Sequence, residues 1–417
     1  MSADNKVPEI RFKGFSGEWD KGILGDLVKL ENGFAFQSKY FQNKPTKIIV
    51  LTPGSVNVGG GFQAGKGQYY DEKQEISSKY IFKPGEMFIT MTDLTPTAQA
   101  LGFPAIIPKD ENTYLHNQRL GKLVGFQGNL AFLYNLLRTT IKQKEIVSTS
   151  SGTTVKHTSS DKFLNRIVLF PKKEEQTQIG NYFQQLDSLI NQHQQKHDKL
   201  CNIKKAMLEK MFPKQGETIP EIRFKGFSEA WEEKELGADV AEIIGGGTPS
   251  TSISEFWNGD IDWYSPTEIG NNVYVEGSQK KITALGLKNS SAKILPAGNT
   301  VLFTSRAGIG DMAILAKSGA TNQGFQSFIV KDGFSPYFIY SAGKQIKEFA
   351  LKHASGSTFL EISGKQLGRM IILIPNFEEQ TAIGNYFQKL DMLIKQHQQQ
   401  ITKLNNIKQA CLSKMFV

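Results

Sequence analysis

A 39-residue segment occurs twice in this chain of 417 residues, first at 174–212 and again at 378–416, and 28 of the 39 aligned positions are identical. Apolar residues recur every three or four positions in both copies, which is the period of an amphipathic α-helix, and neither copy contains proline. At 1.5 Å per residue, each helix would be roughly 55 Å long. A helix of that length with one apolar face needs a partner, and each copy is the natural partner of the other.

The shared apolar positions predict the interface of this helix pair, which we expect to be antiparallel. The predicted interface residues are Ile179, Phe183, Leu186, Ile190 and Leu200 in the first copy, and Ile383, Phe387, Leu390, Ile394 and Leu404 in the second. The same period also places Leu189 on the apolar face. His193 and His197 are four residues apart and could hold zinc, but Ile401 replaces the second histidine in the other copy. This difference favours polar positions in the helix interface over a metal site.

The repeat extends beyond the helices. The sequence PEIRFKGFS occurs at 8–16 and at 220–228, and a tryptophan follows each copy, Trp19 and Trp231. The blocks that follow differ from each other and contain short strand candidates separated by glycine-rich turns, with helical periodicity late in each block. We therefore predict an α+β protein with pseudo-twofold symmetry. Its predicted parts are mixed α/β domains at 1–173 and 217–377, each followed by a long helix, at 174–216 and 378–417.

The composition narrows the classes of protein to which the chain can belong. Lysine and arginine number 49 against 40 aspartate and glutamate, so the net charge is +9, which favours an acidic partner such as nucleic acid. The sequence has no apolar run of 18 residues and no apolar leader behind a basic start, which predicts neither a membrane span nor a signal peptide. The two cysteines supply neither a disulfide framework nor a metal tetrad. We expect a cytoplasmic protein with no membrane association.

The chain carries no recognisable catalytic motif. The glycine-rich stretch at 60–67 has the spacing of a phosphate-binding loop up to Lys66, but Gly67 stands where a metal-binding Ser or Thr is required. We therefore interpret this stretch as a turn. Methyltransferase motifs, paired nuclease carboxylates and a Gly-x-Ser-x-Gly elbow are not visible, so we predict a protein without catalytic residues or a metal site.

Loops rich in hydroxyl, amide and guanidinium groups supply binding chemistry instead. In the second block, GGGTPSTS at 245–252 suits phosphate contacts, and FTSRAGIG at 303–310 presents an arginine that can bond the edge of a guanine. The matching stretch FITMTDLT at 88–95 has Met91 or Thr92 in place of that arginine, so the two blocks should read different bases. The predicted DNA-binding residues are Thr90, Thr92, Asn117, Gln118, Arg119, Thr248, Ser250, Thr251, Thr304, Ser305, Arg306 and Gln323. For each of them, a polar loop or a capping side chain is the alternative interpretation.

The order of these motifs resembles that of a known family. Each block ends in a Ser-Gly turn, SGTT at 151–154 and SGST at 355–358, followed by an apolar strand with proline and then by EEQ-x-x-IG-x-YF-x-x-LD-x-LI. This arrangement covers almost the whole chain and resembles the specificity subunit of type I restriction-modification systems. The stretch at 245–269 is similar to a common opening of a target recognition domain in that family.

The resemblance implies a non-catalytic subunit with two target recognition domains, each of which reads one half of a split sequence in double-stranded DNA. It further implies that the paired helices hold the domains apart and dock two methylation subunits, and that restriction subunits join them. S-adenosylmethionine would belong to the methylation subunits, and ATP and magnesium to the restriction subunits, so this chain would bind no cofactor. The resemblance does not assign the bases that are read.

Two other functions remain open at the level of sequence. The chain could belong to a related system that methylates but lacks a restriction subunit. It could also be a helical adaptor that joins other proteins and does not bind DNA. An enzyme acting by itself is the weakest alternative, since catalytic motifs are not visible.

Overall fold

The computed structural model describes residues 6–95, 97–270, 272–306, 308–356 and 360–417. Ala307, Ser357 and Thr358, which belong to two of the predicted motifs, lie outside the described residues. The chain divides into two units, the first made of 1–193 and 400–417 and the second of 194–399. Each long helix therefore contributes residues to both units.

Short strands dominate the first unit. Its strands are β1 (Asp20–Ile23), β2 (Lys29–Asn32), β3 (Phe41–Gln42), β4 (Ile48–Val50), β5 (Gln68–Tyr70), β6 (Met87–Thr90), β7 (Thr92–Asp93), β8 (Pro104–Ile106), β9 (Thr113–Leu115), β10 (Leu120–Val124), β11 (Lys156–His157) and β12 (Ile167–Phe170). Its helices are α1 (Leu24–Leu27), α2 (Leu130–Leu137), α3 (Thr140–Ser148), α4 (Ser160–Leu164) and the first part of α5 (Lys173–Lys210), together with residues 400–414 of the second long helix. One sheet has the antiparallel order β2-β10-β6-β8, and a second has the order β3-β5-β4-β9, in which β4 and β9 are parallel.

The second unit has a similar make-up. Its strands are β13 (Glu232–Glu235), β14 (Ala241–Gly245), β15 (Trp257–Tyr264), β16 (Tyr274–Val275), β17 (Lys280–Ile282), β18 (Thr300–Phe303), β19 (Met312–Leu315), β20 (Ala320–Thr321), β21 (Gln326–Val330) and β22 (Ile371–Ile374). Its helices are the last part of α5, α6 (Ala284–Lys288), α7 (Pro336–Ser341), α8 (Gly343–His353), α9 (Gly364–Gly368) and the first part of α10 (Phe377–Lys414). The sheets have the orders β14-β21-β18-β19-β16 and β17-β15-β20.

The central strands explain where the cores lie. All four residues of β6, β18 and β19 are buried, as expected for strands covered on both faces. In each unit the strand before the long helix, β12 or β22, pairs antiparallel with the strand that follows the repeated tryptophan, β1 or β13. The two units thus share a strand scaffold, and the predicted fold class, two mixed α/β regions with long helices, is confirmed.

The long helices are antiparallel, and the contacts inside each unit show this. In the first unit, the Sγ atom of Cys411 lies 3.8 Å from the Tyr182 hydroxyl, and Lys408 forms an ion pair with Asp187. In the second unit, the Nζ atom of Lys204 lies 2.5 Å from the Oδ1 atom of Asp391. Residue numbers rise along one helix as they fall along the other, as predicted.

Most of the predicted interface residues lie in the two cores. Ile179, Phe183 and Leu186 are buried beside Leu412, Met415 and Phe416 in the first unit. Ile383, Phe387 and Leu390 are buried beside Met211 and Phe212 in the second. The remaining predicted positions, Ile190, Leu200, Ile394 and Leu404, are half-buried.

Two expectations about this face need correction. Leu189 is 43% exposed, because the helix turns it away from the core that covers Leu186. Ile179, Phe183, Ile383 and Phe387 are at most 1% exposed, so each is enclosed in the core of its own unit and offers no surface to a partner subunit.

Both helices end before the predicted boundaries, at Lys210 rather than at 216 and at Lys414 rather than at 417. The residues after each end fold into a core. Phe416 packs against the rings of Phe132 and Phe183, with ring centroids 5.5 and 5.9 Å away. Phe212 packs in the same way against Phe338, at 5.4 Å. Burial of these rings decides where the chain leaves the helix.

The repeated PEIRFKGF segment fixes the start of one helix to the end of the other. Arg11 donates two hydrogen bonds of 2.7 Å to the carboxylate of Glu175, which is 2% exposed. The backbone N–H of Ile10 donates to the carbonyl oxygen of Lys414 at 2.9 Å. Arg223 and Glu379 form the same two-bond contact in the second unit. Such paired bonds to a buried carboxylate fix the orientation of both groups.

No helix in the described part of the chain is both long enough and apolar enough to cross a membrane.

Leu186→Ala should lower the free energy of unfolding by about 2–5 kcal/mol, because it removes a leucine side chain buried between the helix ends. Leu189→Ala is the matched control on the same helix and should change it by less than about 0.5 kcal/mol, since Leu189 is exposed. Urea denaturation followed by circular dichroism measures both. Equal losses in the two variants would contradict this assignment of the buried face.

Candidate functional site

Equivalent backbone hydrogen bonds align the predicted site of one unit with that of the other. In the second unit, the N–H of Ser305 donates to the carbonyl of Gly324 at 2.8 Å. In the first unit, the N–H of Met91 donates to the carbonyl of Arg119 at 2.9 Å. Met91 therefore corresponds to Ser305, and Thr92 is the residue that stands in the place of Arg306. The sequence left Met91 and Thr92 as alternatives, and the backbone register selects Thr92.

A second strand contact adds one residue to each site. Thr92 pairs with His157 between β7 and β11, and Arg306 forms the corresponding bridge with Glu361. We call the residues Thr92, Asn117, Gln118, Arg119 and His157 the first edge. We call the residues Thr248, Arg306, Asn322, Gln323 and Glu361 the second edge.

Both edges contain the same tight turn. The side-chain oxygen of Asn117 accepts a hydrogen bond from the N–H of Arg119 at 2.9 Å. That of Asn322 accepts from the N–H of Gly324 at 2.8 Å. The side-chain oxygen of Asn117 therefore caps this turn, which was the alternative to DNA binding for this residue. The turn presents the residue after the asparagine, Gln118 or Gln323, as an exposed side chain.

A glycine crosses the back of each turn at very short range. A Cβ atom on Gly33 would lie 2.2 Å from the carbonyl oxygen of Asn117, and one on Gly246 would lie 1.9 Å from that of Asn322. Only glycine fits at these two positions. The close approach fixes each turn against the strand that precedes the glycine, which is β2 in the first unit and β14 in the second.

The predicted residues of the second edge come together from distant parts of the chain. The Thr248 hydroxyl donates a hydrogen bond to the side-chain oxygen of Gln323, 75 residues away. Both side chains are exposed. Arg306 is half-buried and follows Ser305, whose N–H bonds the carbonyl of the residue after Gln323. The loop continues through Ser250, whose hydroxyl lies 2.8 Å from that of Ser252, and through the exposed Thr251.

Three predicted DNA-binding residues are buried, and for them the prediction is wrong. The Thr90 hydroxyl bonds the carbonyl oxygen of Ala100, and the Thr304 hydroxyl donates to that of Gly308 at 2.7 Å. The hydroxyl of Ser305 is enclosed without a hydrogen-bond partner among the described residues. Each of the three is at most 1% exposed, so none can reach a ligand outside the protein.

The sequence interpretation missed His157 and Glu361. Each of them lies six residues after the serine of the Ser-Gly turn. The N–H of Ser151 donates to the carbonyl oxygen of His157 at 2.9 Å, and that of Ser355 donates to the carbonyl oxygen of Glu361 at 3.0 Å. Equal spacing from this shared turn was the signal that could have found them. The pair gives the first edge an imidazole where the second has a carboxylate.

Neutral groups support the backbone beneath the two edges. His116 is 1% exposed, and burial lowers the pKa of its imidazole, whose Nε2 atom lies 3.0 Å from the carbonyl oxygen of Leu120. Burial also raises the pKa of the Tyr264 hydroxyl to about 12. His116 and Tyr264 are therefore uncharged near neutral pH. The backbone carbonyl of His116 accepts a hydrogen bond from the N–H of Phe34 at 2.8 Å, and the backbone carbonyl of Tyr264 accepts one from the N–H of Asn322 at 3.0 Å.

A buried carboxylate lies in the strand that leads to Tyr264. Burial by itself would raise the pKa of Asp262, but hydrogen bonds from Lys317 and the backbone of Ser278, together with the charge of Lys281, outweigh it and lower the pKa. Asp262 is therefore ionised at neutral pH and tethers these groups to β15.

Two other motifs have structural explanations. Gly60 and Gly61 of the glycine-rich stretch have φ values of 88° and 107°, and Gly59 just before it has a φ of 86°. The Nε atom of Arg138 donates to the Gly59 carbonyl at 2.7 Å. This is the expected turn. The Nδ1 atom of His197 lies 3.1 Å from a carboxylate oxygen of Asp198. Within the described ranges, no group of three or more His, Cys, Asp or Glu residues could hold a metal ion.

Comparison with known proteins connects this arrangement to one family. The family model for the type I restriction modification DNA specificity domain matches the chain twice, at 16–202 and at 228–406. The type I restriction enzyme MjaIX specificity subunit of Methanocaldococcus jannaschii is 36% identical over 191 residues, which are 45% of this chain and 44% of that protein. A type I restriction enzyme specificity subunit of Escherichia coli is 34% identical over 181 residues, 41% of this chain and 43% of that protein. The matches thus span less than half the length of these two relatives.

The fold is also similar to that of a solved structure. The crystal structure of the S subunit of a type I restriction-modification system from M. genitalium has a TM-score of 0.61 to this chain, at 16% identity. The similarity covers 99% of each of the two chains. It shows a shared fold across both units.

Gly246→Ala should lower the free energy of unfolding by about 1–3 kcal/mol, because the new methyl group would overlap the Asn322 carbonyl. Gly245→Ala is the matched control, since a Cβ atom there would lie 3.6 Å from its nearest neighbour, and it should cost less than about 0.5 kcal/mol. Urea denaturation monitored by tryptophan fluorescence tests both, because Trp263 bonds the backbone of Gly247. A variant at Gly246 as stable as the control would contradict the proposed close approach.

Proposed function

Because this chain belongs to the type I restriction modification DNA specificity domain family, we propose that it binds double-stranded DNA at a split sequence, with each unit reading one half. The observation that carries the proposal is the pair of edges. They share backbone hydrogen bonds and an exposed glutamine, while the side chains at other matched positions differ, as in Thr92 against Arg306 and His157 against Glu361. A common scaffold with different side chains is what two half-sites of unlike sequence require.

The side chains of the edges suit the reading of bases. In the second edge, Arg306 can donate two hydrogen bonds to a guanine, and Gln323 can bond an adenine. In the first edge, Gln118 stands at the same turn position as Gln323, and the exposed Arg119 offers a guanidinium from the next position of the turn. Thr92 offers a single hydroxyl where the second edge has a guanidinium. The two units are therefore expected to prefer different bases.

The charge of the chain supports DNA as the ligand. A net charge of +9 attracts the phosphate backbone, and neutralised phosphates release counterions, so affinity should fall steeply as salt rises. The exposed hydroxyls of Thr248, Ser250 and Thr251 can bond phosphate oxygens and fix the register of the second unit on the duplex.

In this proposal the chain is a non-catalytic subunit. Two methylation subunits, which use S-adenosylmethionine, and restriction subunits, which use ATP and magnesium, would supply the chemistry in the cytoplasm. The half-buried and exposed residues of α5 and α10 remain candidates for docking the methylation subunits, since the buried ones are taken up by the cores. That the helix pair sets the distance between the half-sites stays a prediction.

The first experiment is a genome-wide map of modified bases in cells that express this chain together with the methylation subunit encoded beside it, compared with cells that lack the chain. We expect adenine methylation in both halves of a split motif, present only with the chain. If the partner assembles with the chain but no new modification appears, the chain is a helical adaptor. If methylation appears but no restriction subunit is encoded nearby, the system is a methylation-only one.

Arg306→Ala should weaken binding of the mapped site by about 1–3 kcal/mol, because a guanidinium that bonds a base edge is lost. The loss should concern one base pair in one half-site and leave the other half-site intact. Arg369→Ala, which removes an exposed arginine at the end of α9, is the matched control and should leave specificity unchanged. Titration of duplexes that carry single base changes measures this. A uniform loss on every sequence would instead identify Arg306 as a phosphate contact.

A further inference from the structure

An exposed aromatic ring lies against the first edge. Phe34 is 44% exposed, although both of its backbone groups are occupied. Its N–H donates to the carbonyl of His116 at 2.8 Å, and its own carbonyl accepts from the N–H of Gln118 at 3.1 Å. The preceding residue, Gly33, is the one that crosses the turn at close range. Phe34 is therefore fixed beside the exposed Gln118, and its phenyl ring is what it offers to a ligand.

Other aromatic rings hold this phenyl ring in place. The ring centroid of Phe36 lies 5.3 Å from that of Phe34 at an interplanar angle of 81°, and that of Tyr80 lies 5.1 Å away at 35°. Phe36 is supported in turn by Tyr70, which is 4% exposed. The Nζ atom of Lys79 lies 5.6 Å from the centre of the Tyr80 ring. An apolar surface thus lies next to the polar edge, with a cation at its rim that suits a phosphate.

The second unit has no room for such a ring. Gly247 takes the place of Phe34, because its N–H donates to the Thr321 carbonyl at 2.9 Å in the same position of the scaffold. A Cβ atom on Gly247 would lie 2.2 Å from the Ser291 hydroxyl. The carbonyl of Gly247 accepts from the indole N–H of Trp263, at 2.8 Å. Apolar contact at this position is therefore a property of the first unit.

We propose that Phe34 contacts the C5 methyl group of a thymine in the half-site read by the first unit, an inference that rests on the proposed function. Phenylalanine rings beside polar readers make apolar contact with this methyl group in the major groove. A ring that wedges between base pairs has to project into the base stack. Phe36 and Tyr80 pack against the Phe34 ring, with centroids 5.3 and 5.1 Å away, so contact with a projecting methyl group fits the geometry better.

The test uses the complex of this chain with its methylation subunit and duplexes that carry the mapped site. The half-site unaffected by Arg306→Ala is that of the first unit, and each of its thymines is replaced singly by deoxyuridine, which lacks only the methyl group. For the unaltered chain, we expect one replacement to weaken binding about fourfold, the ratio for burial of one methyl group. The Phe34→Ala variant should bind the duplex with thymine at that position and the duplex with deoxyuridine there with equal affinity. Phe34→Leu keeps an apolar side chain and should retain most of the discrimination.

Thymines of the second half-site are the internal control, because their replacement should have the same effect with and without Phe34. The inference is overturned if no replacement in the first half-site matters, if that half-site contains no thymine on either strand, or if Phe34→Ala discriminates as the unaltered chain does. It is also overturned if Phe34→Ala releases the methylation subunit while keeping the discrimination, which would make the ring a protein contact. Absence of any sequence-specific binding by the unaltered complex would remove the proposed function as well, so the two failures are distinguishable.

Discussion

The packing of one helix end against the other helix start is the contact on which each unit depends. In the first unit, Phe416, just after the end of α10, meets Phe183 from the first part of α5, with Trp19 and Phe132 around them. In the second unit, Phe212, Phe387, Trp231 and Phe338 form the same cluster. An amphipathic helix of this length cannot cover its own apolar face. Each core is therefore complete only when residues from the start of one long helix and from the end of the other are both present. This requirement gives a physical reason for the near-identity of the two helices, since each must fit the same partner surface.

The polar edges follow a different rule, because their positions are fixed by backbone and their chemistry by side chains. The glycines Gly33 and Gly246, and the asparagine turns they cross, hold the chain path in both units. The side chains projecting from that path can change with little effect on the core. Thr92 and Arg306 show the result, since residues of unlike size and charge occupy one backbone position. A scaffold built in this way can change the ligand it recognises without changing the fold.

Phe34 and Gly247 extend this separation to apolar contact. The same backbone bond, donated by the N–H of Phe34 or of Gly247, supports a phenyl ring in one unit and a hydrogen atom in the other. In the second unit, Ser291 and the indole of Trp263 fill the space around the backbone. The neighbourhood of each edge therefore decides which kinds of side chain it can display.

The sequence by itself determined the architecture, because the signals for it are local or repeated. Helical period, absence of proline and near-identity of the two copies were enough to predict the long antiparallel helices, and the motif order was enough to indicate the family. The tertiary structure decided which polar residues face solvent. Thr90, Thr304 and Ser305 stand at strand ends in hydroxyl-rich stretches that are typical of exposed loops, yet pairing with strands distant in sequence buries them. The alignment of Thr92 with Arg306, the contact of Thr248 with Gln323, and the pairing of His157 with Thr92 and of Glu361 with Arg306 also depend on long-range strand register, which no local pattern encodes.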